Sequence, residues 1–566
     1  MSPLSSSASQ SSTRFALRLL YLLSLKSTRH FDRSLVQVEA AQRKKLKDLL
    51  ALIGPGQTGR RFGLNEQTTY EEFASKVPVS TYKDWETAVL EQKKNKAPLL
   101  TSEHCSRYQP TSGSSSKMKW IPYTPAFLAE LDQAISPLLV DGFRSHPGIL
   151  KGRHYWSLSW IPTHLRTTIA PDANDDLKLL PWWKRLFMHL TMAVPTEVSY
   201  AASSEGSMIS SLAHLVTCTD LTLISVWSPT FAINLIEQLT KHKDELAAIL
   251  AKGHWGERQG ELFHIPCPRS PAVAGILSSW DGTASPDIVK RLWPNLALVS
   301  SWDTSSSRIW AEELRKLFAH AGFLAKGLWA TEGVVTIPYR GHYPLAVTSH
   351  FYEFLDPETD KIHPAWDLKK DQIVTPLLTT GSGFLRYNLN DRVRVSGFLE
   401  NCPCLEFLGR MGGVDMTGEK LTPDIAVEVI KRTGETFNVK ALTLVATGGC
   451  AERNEKPRYT LLCEEEKNPA AEAEITRFAS GLLDESFHYK LASEIGQLDP
   501  LRVVFHPECR KVYQKRNENR GMILGDMKIE PLVLWDENDT TFMDLLVSGS
   551  FPETGDALIL NHSKGI

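Results

Sequence analysis

The sequence predicts an α/β protein with a large N-terminal domain over 1–409 and a smaller α+β domain over 410–566. Three observations carry that expectation. Beyond residue 150, short apolar runs alternate with stretches of helical periodicity, the pattern of strands feeding helices. At Gly409-Arg-Met-Gly-Gly413 the texture changes across a glycine-rich joint. Hydrophobic residues at 42% and charged residues at 23% describe a globular chain, able to bury a core without disulfides or metals.

The elements follow in order. Residues 15–52 read as helices. The basic cluster Arg43-Lys-Lys-Leu-Lys47 reads as a solvated helix face. Residues 1–31 hold no Asp or Glu and four basic residues, a pattern that resembles a mitochondrial transit peptide. A Ser-rich frayed start over 1–27 leading into the first helix is the preferred reading. A cytoplasmic protein is expected with it, and mitochondrial import is the alternative. Ala126–Ile135 reads as a helix and Leu221–Trp227 as a buried strand. Thr230–Ala251 follows as an amphipathic helix, then the strand Leu296–Ser300 and the helix Trp310–Gly322, closed by its glycine. Residues 343–408 are richer in strands, namely Ala346–Phe354, Phe384–Val395 and Leu405–Phe407. Past the joint come the helix Ile425–Ile430, the strands Thr443–Ala446 and Arg458–Cys463, the helix Pro469–Leu483 and the strand Arg502–Phe505.

Composition also excludes. Lys+Arg is 63 against Asp+Glu 65, a net charge of −2, so no nucleic-acid-coating role is expected. No run of ~20 apolar residues is present, so no membrane insertion is expected. The eight cysteines are scattered without a C-x-x-C pair, which fits a reduced setting and no zinc site. Among the 15 tryptophans, Trp156, Trp160, Trp227 and Trp302, with Tyr339, are candidates to line a pocket. Core packing is the commoner role for such residues.

Three segments carry chemistry. Thr111-Ser-Gly-Ser-Ser-Ser-Lys-Met-Lys119 sets hydroxyls and backbone N–H groups around a glycine, with two lysines. Such a loop can cradle phosphate, though the Walker A spacing is missing and a Ser-rich surface loop reads the same way. Trp329-Ala-Thr-Glu332 places a carboxylate beside a hydroxyl at the end of a strand-like run, a donor for Mg²⁺ near phosphates. Gly383-Phe-Leu-Arg-Tyr-Asn-Leu-Asn-Asp391 ends in a carboxylate of the kind that accepts ribose hydroxyls. Each alone also reads as an ordinary surface feature.

Their order is more telling. The aromatic-x-Thr-Glu lies about 220 residues after the Ser-rich loop, Arg-Tyr-x-x-x-Asp about 60 further, and Gly-Arg at the joint. This order resembles the adenylate-forming superfamily. The flanks Val77-Pro-Val-Ser-Thr-Tyr-Lys-Asp84, Leu292-Trp-Pro-Asn295, Phe351-Tyr-Glu-Phe354 and Phe407-Leu-Gly-Arg410 resemble the auxin-responsive acyl acid–amido synthetases, the Gretchen Hagen family. Tyr200-Ala-Ala-Ser-Ser-Glu205 resembles the plant form of the second motif. It comes too early and lacks a preceding strand, so Trp329–Glu332 is taken instead.

The resemblance implies a large domain of mixed sheets with a β-barrel-like part and a mobile C-terminal domain. It implies ATP and Mg²⁺, an acyl-adenylate made from a small carboxylic acid, and transfer to an amine, expected to be an amino acid. An acyl-CoA ligase and a catalytically impaired binding member are the alternatives. Carried over by position, Ser112, Gly113, Ser114, Ser115 and Lys119 hold ATP phosphates. Trp329 flanks adenine, Thr331 contacts phosphate and Glu332 is the metal ligand. Asp391 binds ribose, and Phe407 and Arg410 close over the nucleotide. Lys528 or Lys420 is the catalytic lysine. The chain departs from the family at Ser116 and Asn388-Leu-Asn390, where Asn390 stands for a glycine and is compatible with a left-handed turn.

Overall fold

The structure, a computed structural model, describes residues 3–543 except 106, 111–118, 159, 161–189, 305–306, 411, 418, 420, 449–455, 467–468, 495, 521, 523–526, 536–538 and 540–542. The chain divides into two compact units, one reaching Phe407 and one beginning at Leu408. Each is described by itself.

The first unit opens on two helices, Pro3–Val36 and Val38–Ile53. The start of the chain is thus helical where the sequence reads as frayed. Buried Ala16, Leu17 and Leu20 give the helix an apolar stripe, and Thr13 Oγ1 donates to the Leu190 carbonyl. The basic cluster divides. Arg43 pairs with Glu39 and Glu71, and Lys44 with Asp48, on the surface. Lys45 instead turns inward to 4.0 Å from the buried carboxylate of Glu130, so it is no part of a solvated face.

A four-stranded sheet follows. Its strands, Arg153–Trp156, Leu221–Ser225, Leu298–Ser301 and Gly322–Ala325, lie in chain order and every neighbour is parallel. The middle two are buried at every residue. That accounts for their unbroken apolar runs, since parallel strands are covered on both faces. The helices between them differ from expectation in two places. The expected helix 230–251 is two helices, Pro229–Lys241 and Lys243–Lys252, divided at His242. The helix expected to run to Gly322 ends at Leu317, and Gly322 opens the next strand. A Cβ on Gly322 would stand 2.8 Å from the His146 ring, so the glycine serves close packing rather than helix termination.

An antiparallel sheet carries the rest of the unit. Strands run in the order Ile362–Pro364, Phe351–Leu355, Ile373–Thr379, Asp391–Leu399, Cys402–Arg410, with Tyr387–Asn388 pairing onto Ile373–Thr379. The expected strand Phe384–Val395 is therefore two, divided at Asn390 with φ 58°. A large core joins this sheet to the N-terminal helices, with Phe31, Phe73, Phe127 and Tyr352 fully enclosed.

The second unit has a four-stranded sheet in the order Asp499–Phe505, Arg458–Cys463, Ala441–Thr447, Leu532–Trp535. Its central pair is antiparallel and both outer pairings are parallel. The helices Pro423–Phe437 and Pro469–Leu483 pack on it through Ile430, Ile475 and Leu483. Helix Cys509–Asn519 and strand Leu532–Trp535 complete it without having been marked by the sequence pattern. No helix of the described residues is long and apolar enough to cross a membrane.

Candidate active site

The last parallel strand ends at Ala325 and leads through Lys326-Gly-Leu328 into a tight hairpin. Trp329 pairs with Val334 and Ala330 with Gly333, so Thr331 and Glu332 form its turn. Glu332 therefore sits on a turn rather than at a strand end. Its root is fixed by buried polar groups. Val334 N–H donates to Nε2 of His350 at 3.1 Å, and His350 Nδ1 meets Glu130 Oε2 at 2.8 Å. The first bond makes Nε2 the acceptor, so Nδ1 carries the proton and donates to the carboxylate. The same carboxylate accepts Gly381 N–H at 2.8 Å, and Tyr352 Oη donates to the Val334 carbonyl at 2.6 Å. Gly333 is required here. A Cβ would lie 2.6 Å from Leu378 and 2.9 Å from His350 Nε2.

Two tyrosines reach the turn itself. Tyr123 Oη donates to the Thr331 carbonyl at 3.0 Å. Tyr387 Oη donates to Glu332 Oε1 at 3.1 Å, with its ring stacked on Phe384. Tyr387 is placed by its neighbour. Arg386 makes a bidentate pair with Glu353, 2.7 Å on both arms, and donates to the Ala74 and Val77 carbonyls. In this Arg-Tyr segment the arginine is a buried clamp and the tyrosine is the residue that meets Glu332. Asn390, at φ 58°, adopts the left-handed turn expected of it. Its N–H is taken by Asn388 Oδ1 at 2.8 Å. Asp391 is buried and opens a strand rather than ending one.

Lys119 extends its ammonium to 5.9 Å from the Tyr82 ring. Tyr82 Oη accepts from Trp120 N–H at 2.9 Å. Burial, with Glu86 and Glu332 adding to it, holds the Tyr82 phenol above its usual range. The structure thus brings Thr331, Glu332, Tyr387 and Tyr82 to one place, with Lys119 beside Tyr82. Ser112, Gly113, Ser114, Ser115 and Lys420 lie outside the described residues. Phe407 packs against the core of the first unit. In the second unit, Arg410 stands 4.0 Å from Glu530. Burial raises the Glu530 carboxyl, and Arg410 and Lys528 both pull it down, so one carboxylate feels both candidate cations.

Among the described residues no three His, Cys, Asp or Glu converge as a metal cage. Mg²⁺ needs none. It is held through one or two carboxylates, with phosphate and water oxygens filling its shell, and Glu332 on an open turn fits that use.

The sequence also singled out pocket tryptophans. Trp227 lies 5.4 Å from Trp302 and 5.9 Å from Trp329, ring to ring. Lys326 stands over Trp227 at 4.8 Å and Trp156 at 5.9 Å. Tyr339 is a core residue instead, 1% exposed with its hydroxyl on Asp32. Trp160 gives its indole N–H to the Ala201 carbonyl. The early motif look-alike is a helix start. Tyr200 ends a short 3-10 turn, Ser203 caps the helix Ser204–Thr217, and Glu205 pairs with Arg258.

Tyr82, His350 and Glu130 were not legible in advance. His350 meets Glu130 across 220 positions of chain and Tyr82 meets Trp120 across 38, so no local spacing marks them.

The chain is similar to known proteins in sequence and in fold. The N-terminal-domain model of the GH3 family matches residues 27–323, and its central-domain model matches 343–410. Indole-3-acetic acid-amido synthetase GH3.5 of Arabidopsis thaliana is 24% identical over 441 residues, covering 69% of this chain and 70% of its own length. Jasmonoyl–L-amino acid synthetase JAR4 of Nicotiana attenuata is 21% identical, covering 79% and 82%. A structure of GH3.15 acyl acid amido synthetase with 2,4-DB superposes with a TM-score of 0.76 at 18% identity, over 92% of this chain and 96% of that one. A 2-hydroxyisobutyryl-CoA ligase in a postadenylation state shares the fold at a TM-score of 0.50 and 12% identity, over 91% of this chain and 92% of its own.

Proposed function

The chain belongs to the GH3 family, and from that premise we propose an ATP-dependent acyl acid–amido synthetase, a ligase that joins a carboxylic acid to an amine through an acyl-adenylate. A carboxylate is a poor electrophile, because its leaving group is oxide. In the first step a carboxylate oxygen attacks the α-phosphorus of ATP, the bond to the β-phosphate oxygen breaks, and pyrophosphate leaves. In the second, an amine nitrogen attacks the acyl carbon, the bond to the phosphate oxygen breaks, AMP leaves, and the nitrogen loses a proton. The amine proposed is an amino acid.

The observation that carries this reading is the meeting of the second and third motif segments at Glu332 and Tyr387. It sets the Glu332 carboxylate, next in the chain to Thr331, beside the Tyr387 phenol, four positions before Asp391. The protein's contribution is positioning and charge stabilisation. In this reading Ser112, Gly113, Ser114, Ser115 and Lys119 bind the phosphates and Thr331 contacts one of them. Asp391 accepts the ribose hydroxyls. Trp329 flanks the adenine. Glu332 is the residue to hold Mg²⁺, which when bound supplies charge neutralisation at the phosphates. Lys528, with Lys420 as second candidate, bridges carboxylate and α-phosphate. Phe407 and Arg410 close over the nucleotide, with residues 409–413 as the pivot of a mobile C-terminal domain. The cytoplasm is the compartment proposed.

The test is pyrophosphate release from MgATP across a panel of acids, followed by mass spectrometry of amides formed with the twenty amino acids. Glu332→Ala and Asp391→Ala each abolish release. Wild-type rates in both variants refute the site. Release stimulated by coenzyme A and by no amine makes the chain an acyl-CoA ligase instead.

A further inference from the structure

The basic, acid-free start of the chain has a structural counterpart in the helix Pro3–Val36. Leu17, Leu20, Ser24, Thr28, Phe31 and Leu35 run along one side of it and are at most 1% exposed. They are spaced 3, 4, 4, 3 and 4 positions apart, the seam by which a helix meets a core. The same spacing recurs two positions earlier, at Phe15, Arg18, Leu22, Lys26, Arg29 and Arg33. Two residues turn a helix by about 200°, so this second line runs down the opposite side. All six of its side chains are exposed. Phe15 is 67% and Leu22 58% exposed, with Leu23 beside them at 46%.

The charge on this side has one sign. Asp32 is the one acid between residues 1 and 36, and its carboxylate accepts from Tyr339 and Arg340. Asp141, on the helix Pro125–Ser145 packed alongside, takes the Arg340 N–H. Further cations flank the helix. Exposed Arg144 donates to Tyr21 Oη at 3.5 Å, and Arg14 donates to the carbonyl of exposed Lys151 at 2.9 Å. A solvated helix face ordinarily mixes charges of both signs and shows few large apolar side chains. A face of phenylalanine, leucine and cations asks for a partner with negative charge at its surface and apolar depth beneath.

A second copy of the chain does not offer this, because two such faces bring like charges together. Nucleic acid offers the charge without an apolar receiver along its backbone. A bilayer with anionic headgroups offers both. Lys and Arg reach its phosphates while Phe and Leu enter the acyl boundary. We propose that the outer side of the helix Pro3–Val36 docks the protein on an anionic membrane surface. Phe15 and Leu22 enter the boundary, and Arg18, Lys26, Arg29 and Arg33 meet the headgroups over about 27 Å of helix, at 1.5 Å per residue. The helix lies on the bilayer and does not span it, in keeping with its low hydropathy, and its other side stays in the core. The anionic leaflet faces the cytoplasm, the compartment proposed above. Docking needs no catalysis and stands or falls apart from the reaction.

Sedimentation of the full chain with vesicles tests this without ATP. Vesicles of phosphatidylcholine alone are compared with vesicles carrying about one quarter phosphatidylserine, an anionic surface. Wild-type protein partitions at least about tenfold more strongly to the anionic vesicles, and high salt releases it. The double variant Phe15→Ser, Leu22→Ser and the fourfold variant Arg18→Gln, Lys26→Gln, Arg29→Gln, Arg33→Gln each lower that partition at least about tenfold. Both leave the buried side of the helix untouched, so their melting curves match wild type. Arg18→Lys, Arg29→Lys, Arg33→Lys keeps the binding, since a bilayer reads charge and not a guanidinium. Wild-type protein that sediments with neither vesicle, or equally with both, overturns the assignment whatever the variants do. So does wild-type partition in the double or the fourfold variant. Equal affinity for soluble poly-glutamate gives the face to an acidic protein instead. A lipid-free dimer in ultracentrifugation that the same substitutions dissolve gives it to a second copy. Either result also overturns membrane docking.

Discussion

Tyr387→Phe removes a single oxygen from the candidate site. The phenol is the donor found for Glu332, at 3.1 Å. The ring itself is held by stacking on Phe384, 5.2 Å between centroids, which phenylalanine preserves. Glu332 is partly exposed, so in the free protein water takes the vacated acceptor, and stability falls by less than about 1 kcal/mol. The catalytic cost is larger. If Glu332 must face the phosphates in one rotamer, the lost charge-assisted bond is worth about 1.5–3 kcal/mol. At about 1.4 kcal/mol per decade that is roughly a 10- to 150-fold fall in kcat/KM for ATP. Pyrophosphate release at varied MgATP, with a melting curve as control, measures it. A variant within about twofold of wild type in kcat/KM refutes the view that Tyr387 orients Glu332 for reaction.

The remaining predictions concern how the turn and the core are held. His350→Leu leaves the Val334 N–H without its acceptor and the buried Glu130 without one donor, at a cost of about 3–5 kcal/mol in chemical denaturation. Gly333→Ala, pressing on the same imidazole, destabilises in the same direction and raises KM for ATP before it lowers acid affinity. Asn390→Gly is neutral within about 0.5 kcal/mol, whereas Asn390→Val costs about 1–2 kcal/mol, because a β-branched residue resists the left-handed conformation; melting temperatures decide. Burial pushes the His154 imidazole down to about 4 from 6.5. Between those values the unfolded chain binds the proton and the folded one does not. His154 therefore leaves stability unaffected above about pH 7 and removes about 3 kcal/mol as pH falls from 6.5 to 4. His154→Gln, which can still donate to the Ile149 carbonyl held by His154 Nε2, flattens that part of the calorimetric pH profile. An unchanged slope contradicts it.

Much of this was written locally in the chain. The strand Arg458–Cys463 and the helix Pro469–Leu483 stand at the bounds their periodicity gives. The strands expected at Leu221–Trp227 and Leu296–Ser300 stand at Leu221–Ser225 and Leu298–Ser301, buried throughout because parallel pairing covers both their faces. The left-handed Asn390 was also legible, since turn chemistry is decided within a few residues. Motif order along the chain pointed to the GH3 family.

Only the tertiary structure decided which of those residues stand together. It made Arg386 a clamp on Glu353 and gave Tyr387 to Glu332. It turned Lys45 from a supposed solvated face toward buried Glu130, and Tyr339 from a pocket candidate into core. It also gathered Trp156, Trp227, Trp302 and Trp329 with Lys326 at the ends of separate strands. The reason is physical. Periodicity and capping reflect contacts between neighbours in sequence, whereas these pairings are made by chain segments up to hundreds of residues apart, and only sheet register and core packing bring them within bonding distance.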